Sequence, residues 1–158
     1  MADKERYVYD WPRPMVTVDA AVFAFFEGKA KLLLIQRKHE PYQGRWALPG
    51  GFVEMDEDLP EAAARELAEE TGLRNVPLEQ LGTFGRPDRD PRGRTITVVY
   101  FGLAEKEREQ IEAADDAAAV QWFDLESLPP MAFDHDEIVR CAIGRLRQTE
   151  ACRGHKHR

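Results

Sequence analysis

Cysteine is scarce in this sequence, and both cysteines lie near the C-terminus. They are Cys141 and Cys152, among 158 residues, and they are not in the spacing of metal ligands. Small proteins that depend on disulfides or on structural zinc carry more cysteines, in closely spaced pairs. We therefore expect neither a disulfide framework nor a zinc site.

Long apolar runs are missing as well. The N-terminal stretch MADKERYVYDWPRP is polar and contains two prolines. It lacks the apolar centre of a secretion signal and the length of a membrane span. We therefore expect a cytoplasmic protein with no membrane partner.

Positive charge is the third shortage. The chain has 22 Lys and Arg against 29 Asp and Glu, a net charge of -7, whereas proteins that grip nucleic acid usually present a basic surface. No nucleic-acid partner is expected. The 158 residues fit one domain with a sizeable core, and the sequence shows no internal repeat.

Several apolar segments with turn signals between them are present. VTVDAAVFAF and KLLLIQR, separated by EGKA, predict a hairpin over residues 16–37. Further strands are predicted at RWAL, EQLGTF, TITVVYFGLA and AVQWFDL, and an amphipathic helix over residues 134–148. Strands before, between and after two helices predict an α/β (α+β) sandwich with a mixed sheet.

The first helix is predicted from agreeing end signals. Asp58 can cap its start, Pro60 suits its first turn, and Glu61 stands three residues after the cap. Gly72 can end it in a left-handed conformation. The alanine, leucine and glutamate content between these residues also favours helix.

Three carboxylates of this helix, Glu66, Glu69 and Glu70, fall on one arc. The neighbouring arc, predicted to face the core, holds Ala63, Ala64 and Leu67. Like charges at this spacing repel, so a positive group should offset them. Arg65 is one candidate. A divalent cation is another, since carboxylate oxygens suit magnesium, and a solvated acidic face is the simplest alternative.

The wider pattern resembles a known signature. It runs Gly51, five residues, Glu57, seven residues, Arg65, Glu66, Leu67, one residue, Glu69, Glu70, one residue, Gly72, Leu73. This resembles the Nudix box of hydrolases that cleave nucleoside diphosphates linked to another moiety. The lead-in GRWALPGGFVE is also similar to that family.

The resemblance implies a Nudix-type α/β/α sandwich over residues 15–147, which leaves residues 1–14 as an N-terminal extension. Residues 148–158 are expected to form a disordered tail. It further implies that Mg²⁺, or Mn²⁺ in its place, binds the carboxylates of Glu66, Glu69 and Glu70 and the carbonyl of Gly50. Arg65 would orient these glutamates. Glu57 would support the site from the preceding loop.

The resemblance leaves the general base open. Some members use a box glutamate, here Glu66, and others use an acid from a later loop. EAADDAAAVQWF offers Glu112, Asp115 and Asp116 before a strand, and Asp116 is preferred. A turn or capping role for Asp116 is an equal alternative.

Substrate choice must come from outside the box. FGRPDRDPRGR resembles the corresponding loop of ADP-ribose pyrophosphatases, with Pro87 fifteen residues past Gly72. The residues proposed to contact substrate are Arg37, Phe84, Arg86, Arg92 and Arg94, the arginines binding phosphate or ribose and the phenylalanine stacking on a base. Exposed surface roles are the alternative for each. The expected reaction is hydrolysis of ADP-ribose to AMP and ribose 5-phosphate.

Two other functions fit parts of the pattern. The same site on a nucleoside triphosphate, including an oxidised one, would release pyrophosphate. The PDRDPRGR loop and AFDHDEI also resemble Nudix domains of transcription regulators, which carry a winged-helix domain after the Nudix domain; about ten residues follow the last predicted helix here, so DNA binding is not expected. RYVYDW is a candidate for adding a strand to a second copy in a homodimer.

Overall fold

The first two strands form the predicted hairpin in the computed structural model, which describes residues 7–113 and 117–155. β1 is Met15–Phe26 and β2 is Lys29–Arg37, and their antiparallel register pairs Phe23 with Leu32. The turn residue Gly28 has a φ of 81°. Glycine takes this left-handed conformation without the steric cost of a side chain.

The remaining elements follow in the predicted order. They are β3 (Trp46–Ala47), β4 (Gly50–Phe52), α1 (Leu59–Thr71), β5 (Leu78–Phe84), β6 (Thr95–Leu103), a 3₁₀ helix (Lys106–Glu109), β7 (Ala117–Asp124) and α2 (His135–His155). The strand predicted at RWAL is thus only two residues long.

Within the described residues, seven strands form one mixed sheet. Its main order is β3-β2-β1-β6-β5, with β4 paired to β1 and β7 paired to β2. β1 and β6 are parallel, and the other pairs are antiparallel. β4 lies beside the first half of β1 and β2 beside its second half, so the chain between β3 and β4 crosses from one partner to the other.

The two helices cover opposite faces of the sheet. Alternating residues of β1 point to opposite faces, as a strand requires. Ala20, Val22 and Ala24 share a buried cluster with Leu67 of α1, whereas Ala21 and Phe23 share one with Ile138, Val139, Ala142 and Leu146 of α2. The predicted α/β/α sandwich is confirmed.

The ends of α1 are as predicted, but its buried face is not. The side chain of Asp58 accepts a hydrogen bond from the Leu59 N–H, and Gly72 ends the helix with a φ of 81°. Ala64, expected to face the core, is exposed, and Ala62 is buried in its place. The helix is therefore rotated toward the sheet on the side that carries Glu66 and Glu70.

α2 continues to His155, past the predicted end at residue 148. The added segment TEACRGH contains no proline, its one glycine, Gly154, lies next to the last residue of the helix, and its alanine, glutamate and arginine favour helix. The expected disordered tail is thus helical as far as the structure describes it. The domain limits 15 and 147 stay a prediction. None of the described helices is long and apolar enough to cross a membrane.

Candidate active site

A cleft of about 2040 Å³ opens where β1, β4 and α1 meet the ends of β2 and α2. Its acidic side includes Asp19, Glu57, Glu66 and Glu70, and its basic side includes Arg37 and Arg92. Acidic and basic groups therefore face one space, an arrangement that suits a metal ion next to an anionic ligand.

Glu66 and Glu70 are brought together by the geometry of α1. Residues four apart form ridges along a helix, and the ridge Ala62, Glu66, Glu70 lies beside the buried ridge Ala63, Leu67, Thr71. Both ridges face the sheet. The carboxyl groups of Glu66 and Glu70 are close enough to affect each other's charge, and Glu70 Oε1 accepts a hydrogen bond of 3.1 Å from the Gly50 N–H.

The electrostatics of this pair suit a cation. Burial raises the pKa of Glu70 to about 9 against the hydrogen bond from Gly50, and the charge of Glu66 adds to the rise. Burial also raises the pKa of Glu66, which the Arg65 guanidinium opposes. Two close carboxylates that resist ionisation, beside a backbone carbonyl, are hard oxygen donors for a divalent metal ion.

Glu69 does not join the pair. It lies on the outer ridge with Arg65, its side chain is 58% exposed, and its Oε2 lies 3.2 Å from Arg65 Nη1. Within the part of the chain that the structure describes, no three His, Cys, Asp or Glu side chains are close enough to hold a metal ion together. The structure thus gathers two of the three predicted carboxylate ligands.

Arg65 ties the loop before α1 to the helix. Its Nε and Nη2 donate to the two carboxylate oxygens of Glu57 at 2.9 and 2.6 Å, and its Nη1 donates to Glu66 at 3.0 Å. The hydrogen bond from Arg65 lowers the pKa of Glu57 to about 2 and raises the pKa of Arg65. The roles of Arg65 as an orienting residue and of Glu57 as a supporting carboxylate stay predictions.

Gly50 and Gly51 allow the close approach of the acidic side chains. A Cβ atom at Gly51 would overlap the carboxylate of Glu66, and one at Gly50 would overlap Asp19. Gly50 pairs with Asp19 across β1 and β4. The backbone of these glycines therefore lies directly against the carboxylates of Glu66 and Asp19, which together with Glu70 form the acidic centre of the cleft.

Of the five predicted substrate residues, Arg37 and Arg92 lie in the cleft. Both guanidinium groups lie over the ring of Phe133, at 5.0 and 5.3 Å from its centroid, and Arg92 also lies 5.1 Å from the centroid of Phe52. Arg92 donates to both carboxylate oxygens of Asp90. Burial lowers the pKa of Arg37, as does the charge of Arg92.

The other three lie elsewhere. Arg86 bridges Asp88 and Glu137 on the surface, and the exposed guanidinium of Arg94 donates to the Gly85 carbonyl. Phe84, expected to stack on a base, packs instead against the core on the α2 side. Side chains alternate along a strand, so its place on β5 turns the ring away from the cleft.

Four buried polar residues beside the cleft were not predicted: Asp19, Arg89, Asp134 and His135. Arg89 and Asp134 form a bidentate pair at 3.0 and 2.7 Å, and Thr97 donates to Asp19. The segment AFDHDEI contains Asp134 and His135, but in the sequence it indicated only a resemblance to the Nudix domains of transcription regulators. The loop FGRPDRDPRGR contains four arginines, and Arg89 is the buried one because it pairs with Asp134, 45 residues away.

The preferred general base, Asp116, lies outside the described residues, as does Asp115. The loop that leads to them is anchored at the C-terminal end of α1, where the Glu112 N–H donates to the Thr71 carbonyl at 2.7 Å. Asp116 therefore stays a prediction.

Three exposed apolar side chains line the cleft and are referred to as the apolar rim. Trp11, Met55 and Phe52 line it with 79%, 68% and 43% of their surfaces exposed. The described N-terminal residues 7–14 also border the cleft but form no strand. An exposed apolar rim of this kind is typical of a surface that a ligand or another chain covers.

Known proteins resemble this chain over most of its length. The model of the NUDIX domain family matches residues 15–141. An ADP-ribose pyrophosphatase from Methanocaldococcus jannaschii is 44% identical over 127 residues, which are 80% of this chain and 72% of that protein.

A transcriptional repressor also resembles this chain. The ADPR responsive transcriptional repressor NtrR of Acinetobacter baylyi is 40% identical over 143 residues, which are 87% of this chain and 56% of the repressor. The crystallised NUDIX domain of Shewanella oneidensis NrtR, complexed with ADP ribose, superposes with a TM-score of 0.80 at 34% identity and covers 91% of this chain and 93% of that domain. Since the family model matches more than half of the chain, and the fold and acidic centre agree with it, the chain belongs to the Nudix family.

Proposed function

We propose that this chain hydrolyses ADP-ribose to AMP and ribose 5-phosphate with Mg²⁺ as its cofactor. The observation that carries the proposal is one cleft in which the Glu66–Glu70 pair faces Arg37 and Arg92. The 44% identity to an ADP-ribose pyrophosphatase supports the choice of substrate.

The reaction adds one water molecule across the pyrophosphate. A phosphorus–oxygen bond forms to the water oxygen while the bond from that phosphorus to the bridging oxygen breaks, and the bridging oxygen leaves with the other phosphate. A divalent cation bound there would shield the phosphate charge and make the attacking water more acidic. No covalent intermediate with the protein is needed.

The acidic side of the cleft holds the cation in this proposal. Glu66, Glu70 and the Gly50 carbonyl would supply oxygen ligands, with Glu69 as the third carboxylate that the family pattern implies. Arg65 and Glu57 keep the glutamates in place through the hydrogen bonds already described. Mg²⁺ is preferred for such oxygen ligands, and Mn²⁺ is expected to substitute.

The basic side binds the substrate anion. Arg37 and Arg92 carry donors that match phosphate oxygens. The rings of Phe52 and Phe133, which flank Arg92, provide apolar surface beside it. The proposed proton acceptor is Asp116, with Glu66 as the alternative.

The decisive experiment is product analysis with ADP-ribose, other sugar nucleotides, dinucleotides and triphosphates. We expect AMP and ribose 5-phosphate from ADP-ribose with Mg²⁺, and none with a chelator. Release of pyrophosphate from a triphosphate, with ADP-ribose left intact, would show that the substrate is a triphosphate. The proposed metal site would then stand unchanged.

A second candidate is an ADP-ribose sensor. It is favoured by the 40% identity to a repressor, of which the matched region makes up 56%. A sensor would bind ADP-ribose and leave it uncleaved over hours with Mg²⁺, whereas the proposed enzyme turns it over. A DNA-shift assay with and without ADP-ribose would then test a regulatory role.

A homodimer is proposed as the working assembly. The exposed Trp11, Phe52 and Met55, which line the cleft, give a second copy an apolar surface to cover. Sedimentation equilibrium decides between one and two chains. A monomer at all accessible concentrations would contradict the proposal.

A further inference from the structure

The residues Phe133, Asp134 and His135 form a turn that the reaction proposed above leaves unexplained. We refer to it as the 133–135 turn. Phe133 has a φ of 52°, a value that residues with a side chain adopt rarely and at some energetic cost. The segment before the turn is tied to β3, since the Ala132 N–H donates to the Trp46 carbonyl at 2.8 Å.

His135 connects this turn to the glycine loop, residues 48–51. Its Nδ1 accepts a hydrogen bond of 3.0 Å from the Leu48 N–H. Because Nδ1 is an acceptor, the proton of the buried ring lies on Nε2, which is 3.7 Å from Asp19 Oδ1. Nδ1 thus binds the backbone between β3 and β4, and Nε2 lies near Asp19, the residue of β1 that pairs with Gly50.

The glycine loop has one further support on each side. The Ala20 N–H of β1 donates to the Pro49 carbonyl at 2.8 Å, and the Gly50 N–H donates to Glu70. His135 is the contact that comes from α2. It therefore joins the helix on one face of the sheet to the loop that offers a carbonyl ligand on the other.

Asp134 connects the same turn to the arginine loop, residues 85–94. It accepts two hydrogen bonds from Arg89, and the two side chains are 6% and 3% exposed. Arg89 is followed directly by Asp90, which pairs with Arg92 in the cleft. The buried pair thus fixes the base of the loop that presents Arg92 to the substrate.

We propose that Asp134 and His135 are positioning residues, which set the arginine loop and the glycine loop at a fixed separation on the two sides of the cleft. His135 acts through the Leu48 N–H on the cation side, and Asp134 acts through Arg89 on the phosphate side. A pyrophosphate that binds both a cation and Arg92 requires these two sides in register.

The His135 half is tested by a matched pair of variants, His135→Asn and His135→Gln. Asparagine can place an acceptor where Nδ1 lies, so it keeps the bond from Leu48, whereas glutamine places its amide where Nε2 lies and loses that bond. We expect H135Q to weaken Mn²⁺ binding about tenfold, as loss of a group that orients metal ligands does, and H135N to stay close to wild type. Electron paramagnetic resonance of free Mn²⁺ measures this without turnover.

The Asp134 half is tested by Asp134→Asn, with the KM for ADP-ribose at saturating Mg²⁺ as the readout. We expect the KM to rise about tenfold, as for a displaced substrate contact, with Mn²⁺ affinity unchanged. If the uncompensated Arg89 unfolds this variant, the double variant Arg89→Met with Asp134→Leu replaces the ion pair by apolar groups. The same rise in KM is expected of it.

Leu146→Ala is the control for stability, since this residue is buried in α2 and does not line the cleft. It should lower the melting temperature and leave KM and Mn²⁺ affinity unchanged. The proposal is overturned if H135Q and H135N weaken Mn²⁺ binding equally, if D134N leaves KM unaltered, or if every variant changes both readouts in proportion to its melting temperature.

The KM arm rests on the proposed function, whereas the Mn²⁺ arm does not. Wild-type protein that leaves ADP-ribose intact contradicts the proposed function, and the comparison of H135Q with H135N still decides the role of His135. Wild-type turnover with no split between the variants contradicts the positioning role alone.

Discussion

α1 and the arginine loop both line the cleft, but the contacts that hold them in place join residues at different distances along the chain. Arg65 of α1 bonds to Glu57, Glu66 and Glu69, all within eight residues. Arg89 of the loop bonds to Asp134, 45 residues away. The network of Arg65 on the acidic side is therefore set by residues close in sequence, whereas the base of the arginine loop is fixed by a contact between residues distant in sequence.

The largest effect is expected from a substitution in the carboxylate pair on the acidic side of the cleft. Glu70→Gln keeps the shape of the side chain and its acceptor for Gly50 but removes a ligand charge. We expect turnover of ADP-ribose to fall about a hundredfold to a thousandfold, because the cation is held less well in the transition state. A steady-state assay at saturating Mg²⁺ measures it. A folded variant with full turnover would show that the carboxylate pair is not the metal site.

Two substitutions within the arginine loop test which of its side chains binds substrate on the basic side of the cleft. Arg92→Gln removes a guanidinium that lies in the cleft, and Arg94→Gln removes one that lies outside it. Loss of a charged hydrogen bond costs about 1.5–3 kcal/mol, so the KM of R92Q should rise about tenfold or more. The KM of R94Q should stay within about twofold of wild type, because Arg94 lies outside the cleft. Equal effects of the two variants would contradict this assignment.

The unusual pKa of Glu70 predicts how the metal-free protein responds to pH. The pKa lies near 9 in the folded chain against an ordinary 4.5, so the native state binds more protons than the unfolded state between these values. The free energy of unfolding should therefore decrease as pH rises through this window. Urea titrations with chelator at pH 5.5, 7 and 8.5 measure the slope, which Glu70→Gln should reduce. An unchanged slope in E70Q would contradict the burial of this carboxyl.

The smallest expected effect concerns the local signals of α1. Asp58→Ala removes the cap and should lower the free energy of unfolding by about 1 kcal/mol. Turnover should not change, since Arg65 still holds Glu57 and Glu66. Urea denaturation and the steady-state assay check the two expectations. A fall in turnover comparable to that of E70Q would show that the cap also shapes the site.

The sequence predicts what local rules determine. The caps Asp58 and Gly72 and the hairpin of β1 and β2 lie where expected. The burial of Ala62 in place of Ala64 depends on how α1 meets the sheet, which helical period alone does not specify.

The basic side shows the same limit. Arg37 and Arg92 were predicted together with Phe84, Arg86 and Arg94, because composition cannot tell which loop side chains point into a cleft. His135 was not predicted at all, since its role follows from contact with Leu48, 87 residues away.

The apolar rim of Trp11, Phe52 and Met55 has a thermodynamic consequence. Water ordered on these side chains is released when a nucleotide or a second chain covers them, and burial of apolar surface lowers the heat capacity of the system. Association at this cleft should therefore become more exothermic as temperature rises. Calorimetry at several temperatures would report the closure of the rim even for a ligand that the protein does not cleave.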